Sequence, residues 1–144
     1  MTDNAYGGND PLNGRAGNDT LYGDAVSYSP STPGSITGGT DTLNGGAGND
    51  QLWGGPNDDT FVFNVGSSND VINDFNHGNL AGGSTATEHD IINLHAYGFS
   101  DWNALQSAIS DNVAGSAVIQ RSATDSITLV RNHTADLYQT DCII

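Results

Sequence analysis

The chain has 144 residues and a net charge of −14, with 17 acidic residues against 3 basic ones. The acid is almost all Asp, 16 against the single Glu88, alongside 16 Asn and 19 Gly. Length argues for one domain. With no Lys and only Arg15, Arg121 and Arg131, the charge excludes nucleic acid and anionic membrane surfaces as partners, since both need clustered cations.

In chain order, the first feature is a repeat. Asn9-Asp10-Pro11-Leu12, Asn18-Asp19-Thr20-Leu21, Thr40-Asp41-Thr42-Leu43, Asn49-Asp50-Gln51-Leu52 and Asp58-Asp59-Thr60-Phe61 align, with aspartates spaced 9, 22, 9 and 9 apart. Asn69-Asp70-Val71-Ile72 is a weaker copy, 11 residues after Asp59. Glycines precede each aspartate, and the unit reads Gly-Gly-x-Gly-x-Asp-x-U-x, where U is large and apolar. Six residues make a turn whose glycines allow φ > 0 and close backbone approach. Its Asp carboxylate and carbonyls are the hard oxygen donors that calcium takes. Three residues make a strand with only U facing inward. Such a unit buries its apolar side only by stacking on its neighbours. Disorder is the competing reading of a chain this acidic. Asp and Asn rather than Glu favour turns over both disordered and helical acidity.

These repeats resemble the calcium-binding nonapeptides of RTX proteins. The resemblance implies an all-β chain: a right-handed parallel β-roll of nonapeptide repeats over 1–75, two repeats per coil, with a surface insertion at 23–36. Residues 76–144 would form a β-rich cap with a short helix. Cations would lie between turns two repeats apart on one edge. At a spacing of 18, Asp41 pairs with Asp59, and Asp50 with Asp70 at 20; Asp19 and Asp41, 22 apart, are interrupted. Asp10 has no preceding repeat to pair with. The expected ligands are Asp10, Asp19, Asp41, Asp50, Asp59 and Asp70, with turn residues Gly39, Gly46, Gly48, Gly55 and Asn57. Asp24 is a substitute ligand at the interruption, and Asp74 and Asp90 form a further site. Three to five Ca²⁺ ions are expected in all.

Pro11 suits an exposed edge strand. The chain opens inside the repeat array, which predicts a C-terminal piece of a longer protein. Met1–Asn4 shows no signal peptide, and no apolar run approaches a membrane span. After residue 60, strands are expected at 60–63, 70–75 and 90–94, with a Gly/Asn/Ser loop at 76–88. Ser100 or Asp101 caps a short helix carrying Trp102, Leu105 and Ile109 on one face. Segments 117–120 and 126–130 form a hairpin around 122–125, and Asp101, Asp111 and Asp125 read as cap and turn residues. Asp136-Leu137 starts a last helical turn. Cys142, the only cysteine, excludes an internal disulfide and reads as a small apolar residue rather than a reactive thiol.

The run from Asp59 to Leu94 is similar to the C-terminal module of serralysin-type metalloproteases and alginate epimerases. That resemblance implies a bacterial, secreted, extracellular protein, with Asp141-Cys142-Ile143-Ile144 as an uncleaved signal read by type I secretion machinery. No catalytic motif occurs: His-Glu-x-x-His and Gly-x-Ser-x-Gly are missing, and a P-loop needs Lys. The function expected is a non-catalytic, calcium-folded module that stabilises an attached secreted domain. The alternative is a polysaccharide-binding accessory module using Tyr22, Tyr28, Trp53 and Trp102. His77 and His89, near Glu88 and Asp90, are a weaker metal-ligand pair.

Overall fold

The computed structural model describes residues 2–4, 8–24, 38–76 and 88–144. Tyr28, His77 and most of the expected insertion and 76–88 loop lie outside the described residues.

Each x-U-x triplet forms a three-residue strand because only its middle residue has somewhere apolar to go. In β3 (Thr20–Tyr22), β5 (Gln51–Trp53) and β6 (Thr60–Val62) the middle residue is buried and its flanks are not. β2 (Pro11–Asn13) and β4 (Thr42–Asn44) follow the same rule. Successive strands alternate between two sheets. One runs β1 (Thr2–Asn4), β3, β5, β7 (Asn69–Ile72), β11 (Asp125–Leu129), β10 (Ala117–Ser122), β9 (Ile109–Asp111). The other runs β12 (Cys142–Ile143), β8 (Ile91–Asn93), β6, β4, β2. All pairs between roll coils are parallel, so the repeat region is a parallel β-roll.

Register stacks U on U. Leu12, Leu43, Phe61, Ile92 and Cys142 form one inward column, and Leu21, Leu52, Ile72 and Leu129 the other. All but Cys142, which is partly buried and packs against the others, belong to the buried core.

The C-terminal part extends both sheets rather than packing as a separate body. β11 pairs parallel with β7 and carries the antiparallel strands β10 and β9 outward. β12 pairs parallel with β8. The helix α1 (Trp102–Gln106) is capped by Asp101, whose Oδ1 accepts the Ala104 N–H at 2.9 Å. Ile109 is not on it, as expected from the sequence, but in β9: the helix ends after Gln106, and Ile109 pairs opposite Ile119. Asp125 is likewise not a turn residue. It opens β11 and is buried, with Oδ1 accepting the Tyr97 hydroxyl at 2.7 Å and Oδ2 the Gly66 N–H at 3.0 Å.

Candidate calcium sites

The turns between strands form two edges. On the first, turns lead into β2, β4, β6 and β8 and end at Asp10, Asp41, Asp59 and Asp90. On the second, turns lead into β3, β5 and β7, and their aspartates are Asp19, Asp50 and Asp70.

Along each edge the aspartates form a ladder. Oδ1 of each accepts the main-chain N–H of the aspartate one coil earlier: Asp41 from Asp10, Asp59 from Asp41, Asp90 from Asp59, Asp50 from Asp19 and Asp70 from Asp50, at 2.8–2.9 Å. The expected pairs Asp41–Asp59 and Asp50–Asp70 are both rungs. Asp19 stacks on Asp50 and not on Asp41, which lies on the opposite edge. Asp10, with no repeat before it, donates its main-chain N–H to Asp41 in the coil that follows. These two rungs span 31 residues, against 18 for the Asp41–Asp59 rung.

The second carboxylate oxygen is the informative one. Oδ2 of Asp41, Asp50, Asp59 and Asp70 is buried without a hydrogen-bond partner. A buried anionic oxygen with no donor is costly, and the cost is removed by a proton or a cation. Burial first, then repulsion from neighbouring carboxylates, outweighs the main-chain hydrogen bond and pushes Asp59 up to about 8 and Asp70 up to about 7. Asp90 rises to about 7 by burial, and Asp41 and Asp50 rise too. The folded roll therefore holds these groups against ionisation unless positive charge is supplied.

Glycine makes the room. A Cβ on Gly54 would lie 2.3 Å from Asp59 Oδ2, and one on Gly45 2.2 Å from Asp50 Oδ2. Turn carbonyls share such a space at Gly23, where a Cβ would lie 2.4 Å from Asp41 Oδ2 and 2.3 Å from Gly54 O. Among the described residues no three His, Cys, Asp or Glu side chains converge on one point. The donor set in each gap is thus one or two carboxylates plus main-chain carbonyls, the all-oxygen chemistry that suits calcium.

Other expected ligands divide differently. Gly39, Gly55 and Asn57 line the first edge, and Gly46 and Gly48 the second. Asp74 brackets a neighbouring turn, with Oδ1 on the Gly54 N–H and Oδ2 on the Gly55 N–H, both at 3.0 Å. Asp90 Oδ2 accepts the Asn76 N–H at 2.8 Å. Both oxygens of Asp74 and of Asp90 therefore already serve as acceptors for the turns. His89 faces Asp141, Nε2 to Oδ1 at 2.8 Å, which gives it a partner in the C-terminal segment. Burial pushes the Cys142 thiol up to about 12, in keeping with a packing role.

One set of residues escaped the sequence reading: the residues just before the aspartates. Asn18 Oδ1 accepts the Asn49 N–H, Asn49 Oδ1 the Asn69 N–H, Asn9 Oδ1 the Thr40 N–H and Asp58 Oδ1 the His89 N–H, at 2.7–2.9 Å. This outer ladder points towards the following coil, while the aspartate ladder points towards the preceding one. The recurring Asn-Asp dipeptide was the available signal.

Comparison with known proteins agrees with this geometry. Residues 4–25 and 35–72 match the family of RTX calcium-binding nonapeptide repeats, in four copies. No curated protein matches the chain. The fold is similar to the solution structure of the AlgE6R2 subunit of the Azotobacter vinelandii mannuronan C5-epimerase, at 24% identity and TM-score 0.58, covering 100% of this chain and 91% of that one. It is also similar to the AlgE6R3 subunit of the same enzyme, at 24% identity and TM-score 0.56, covering 95% and 78%. The repeat segments are RTX calcium-binding nonapeptides, folded as a parallel β-roll.

Proposed function

We propose that the chain is a non-catalytic module whose roll folds on binding calcium outside the cell and which stabilises an attached secreted domain. The buried, partnerless Oδ2 atoms of Asp41, Asp50, Asp59 and Asp70 carry this reading. Stripped of cation, these carboxylates repel and lose hydration on folding, and a core built from single apolar residues per strand offsets little chain entropy. Bound calcium supplies the compensating charge and completes the oxygen coordination. Three to five ions are the number that fits the rungs. Extracellular modules bind calcium at about 10⁻⁴–10⁻³ M, above cytosolic levels, so the chain stays open until export.

Asp141–Ile144 has two roles in this reading. Unfolded, it is the signal taken by type I secretion machinery. Folded, Cys142 and Ile143 form β12 and close the second sheet. Circular dichroism through a calcium titration, with magnesium as control, tests the central claim. Complete β-structure in chelator would overturn it.

A second reading, a polysaccharide-binding accessory module, is favoured by the likeness to epimerase subunits. Its aromatic candidates Tyr22 and Trp53 sit on adjacent strands and stack on each other, ring centroids 4.7 Å apart and 20° from parallel. One face of each ring is thereby used internally. Titration of the calcium-loaded protein with mannuronan decides whether the outer faces take a sugar.

A further inference from the structure

Asparagine is followed by glycine at two places in the chain, Asn13-Gly14 and Asn44-Gly45. Both pairs stand where a strand hands over to a turn. Asn13 closes β2 and Asn44 closes β4, and the two are partners in the parallel register. Only the middle residue of each strand faces the core, so Asn13 is exposed and Asn44 half-buried.

The roll dictates the glycines. A Cβ on Gly14 would lie 2.4 Å from Gly45 O, and one on Gly45 2.2 Å from Asp50 Oδ2. Asparagine before glycine is chemically weak. With no Cβ in the way, the glycine nitrogen of a free chain swings over the asparagine Cγ. Attack forms the N–Cγ bond, and Nδ2 leaves as ammonia with the proton that the glycine nitrogen gives up. Water, the only co-reactant, then opens the cyclic imide at one of its two C–N bonds. Opening at Cγ leaves aspartate. Opening at the main-chain carbonyl leaves isoaspartate, whose backbone carries an extra methylene.

The folded roll prevents the first step. The Gly14 N–H donates to Asn44 O at 3.0 Å, so the nucleophile keeps its proton and its place. Asn13 Oδ1 accepts the Arg15 N–H at 3.0 Å, which fixes the amide it would attack. Swinging Gly14 towards Cγ breaks the bond to Asn44 and pulls β2 from β4. Asn44 is held from both sides, because β4 pairs with β2 and with β6.

We propose that Asn13 and Asn44 are deamidation sites opened only when the roll unfolds, a chemical clock on the time the chain spends without calcium. Isoaspartate at either position lengthens the strand end and throws the turn after it, 14–19 or 45–50, out of register. A chain that waits too long can no longer build those coils. Calcium control of the clock rests on the reading above; protection by folding rests on the contacts alone.

Ageing the whole chain at mildly alkaline pH, in calcium and in chelator, tests it, with peptide mass mapping to follow conversion of amide to acid. The reaction follows the population of the open chain, so positions 13 and 44 should convert at least about tenfold faster in chelator. Asn112, exposed but followed by the β-branched Val113, is the internal control and should stay intact. Equal rates in the two conditions overturn the proposal, as does conversion no faster at 13 and 44 than at 112. Asn13→Gln with Asn44→Gln demands a larger ring. This double variant should still fold in calcium after ageing in chelator, where the wild type fails; equal loss overturns the clock. If circular dichroism finds the chelated chain folded, the calcium reading fails instead. Protection is then read in urea, where the same contrast with the folded chain is required.

Discussion

The main-chain N–H of Asp41 donates to Oδ1 of Asp59 at 2.8 Å, across 18 residues and one full coil of the roll. The same carboxylate leaves its Oδ2 buried without a partner. One aspartate thus both ties its coil to the previous one and offers an oxygen to a cation. Asp59→Ala removes both. A hydrogen bond to a charged group contributes about 1.5–3 kcal/mol, which, shared over three to five ions bound on folding, should raise the calcium midpoint by about 2- to 5-fold. Circular dichroism against free calcium checks this; an unchanged midpoint would show that the rung is idle.

Much of that rung was legible beforehand, because Asp41 and Asp59 keep the period of two nonapeptides. The inward column Leu12, Leu43, Phe61 was legible for the same reason. Asp10–Asp41, Asp19–Asp50 and Asp59–Asp90 were not, since each spans 31 residues. Extra residues between strands leave the strands in register but break any fixed period. The Asn ladder was hidden for another reason: Asn reads locally as a turn former, and its bond to the next coil is a tertiary fact. Asp125 and Tyr97, 28 apart and outside any repeat, gave no periodic signal.

Protons should partly replace calcium. Asp59, Asp70 and Asp90 sit at about 8, 7 and 7 in the folded chain, above the ordinary value of about 3.9 in an unfolded one. The folded chain then binds more protons than the unfolded, and its stability falls as pH rises. Their contribution is complete below about pH 4 and is lost as pH climbs through 7 to 8. In chelator, more β-structure is therefore expected at pH 5 than at pH 8. In calcium, the midpoint should move to higher concentration on acidification, because protons compete for the same oxygens. A chelated chain equally unfolded at both pH values would contradict the account.

The two ladders should separate experimentally. Asn49 Oδ1 accepts the Asn69 N–H at 2.9 Å on the exposed side, away from the partnerless oxygens. Asn49→Ala should lower the stability of the calcium-loaded roll by about 0.5–1.5 kcal/mol and leave the number of bound ions unchanged. Adjacent Asp50→Asn should reduce the ion count. Thermal melts paired with calcium counting distinguish them, and loss of an ion in Asn49→Ala would refute the division of labour.

Glycine is required where the turns close on each other. Gly46 has φ +99°, and a Cβ there would meet Arg15 O at 2.1 Å. Gly46→Ala adds backbone strain of about 1–3 kcal/mol to a clash with main chain that has no flexible way out. Higher calcium demand and a lower melting temperature are expected together. A variant as stable as the wild type would mean that the 14–19 and 45–50 turns separate freely, against the bridge between Ala16 and Ala47.

The cap should depend on one buried hydroxyl. Tyr97 is 6% exposed and Asp125 4%, and their hydrogen bond at 2.7 Å lies where β11 joins β7. Asp125 Oδ2 holds the Gly66 N–H of the last repeat turn, so the carboxylate links three segments distant in sequence. Arg121 lies over the Tyr97 ring, 5.6 Å from its centre, and adds a cation to the same junction. Tyr97→Phe keeps the ring and removes only the donor, leaving Asp125 Oδ1 buried without its hydroxyl. The loss should be about 1.5–3 kcal/mol in the calcium-loaded state. Because no partnerless carboxylate oxygen of the roll is touched, the ion count should stay the same. Hydrogen exchange should quicken in 117–129 before it does in the core strands β4–β6. Uniform quickening throughout the roll would mean that the cap and the coils unfold as one unit, and that Asp125 anchors both.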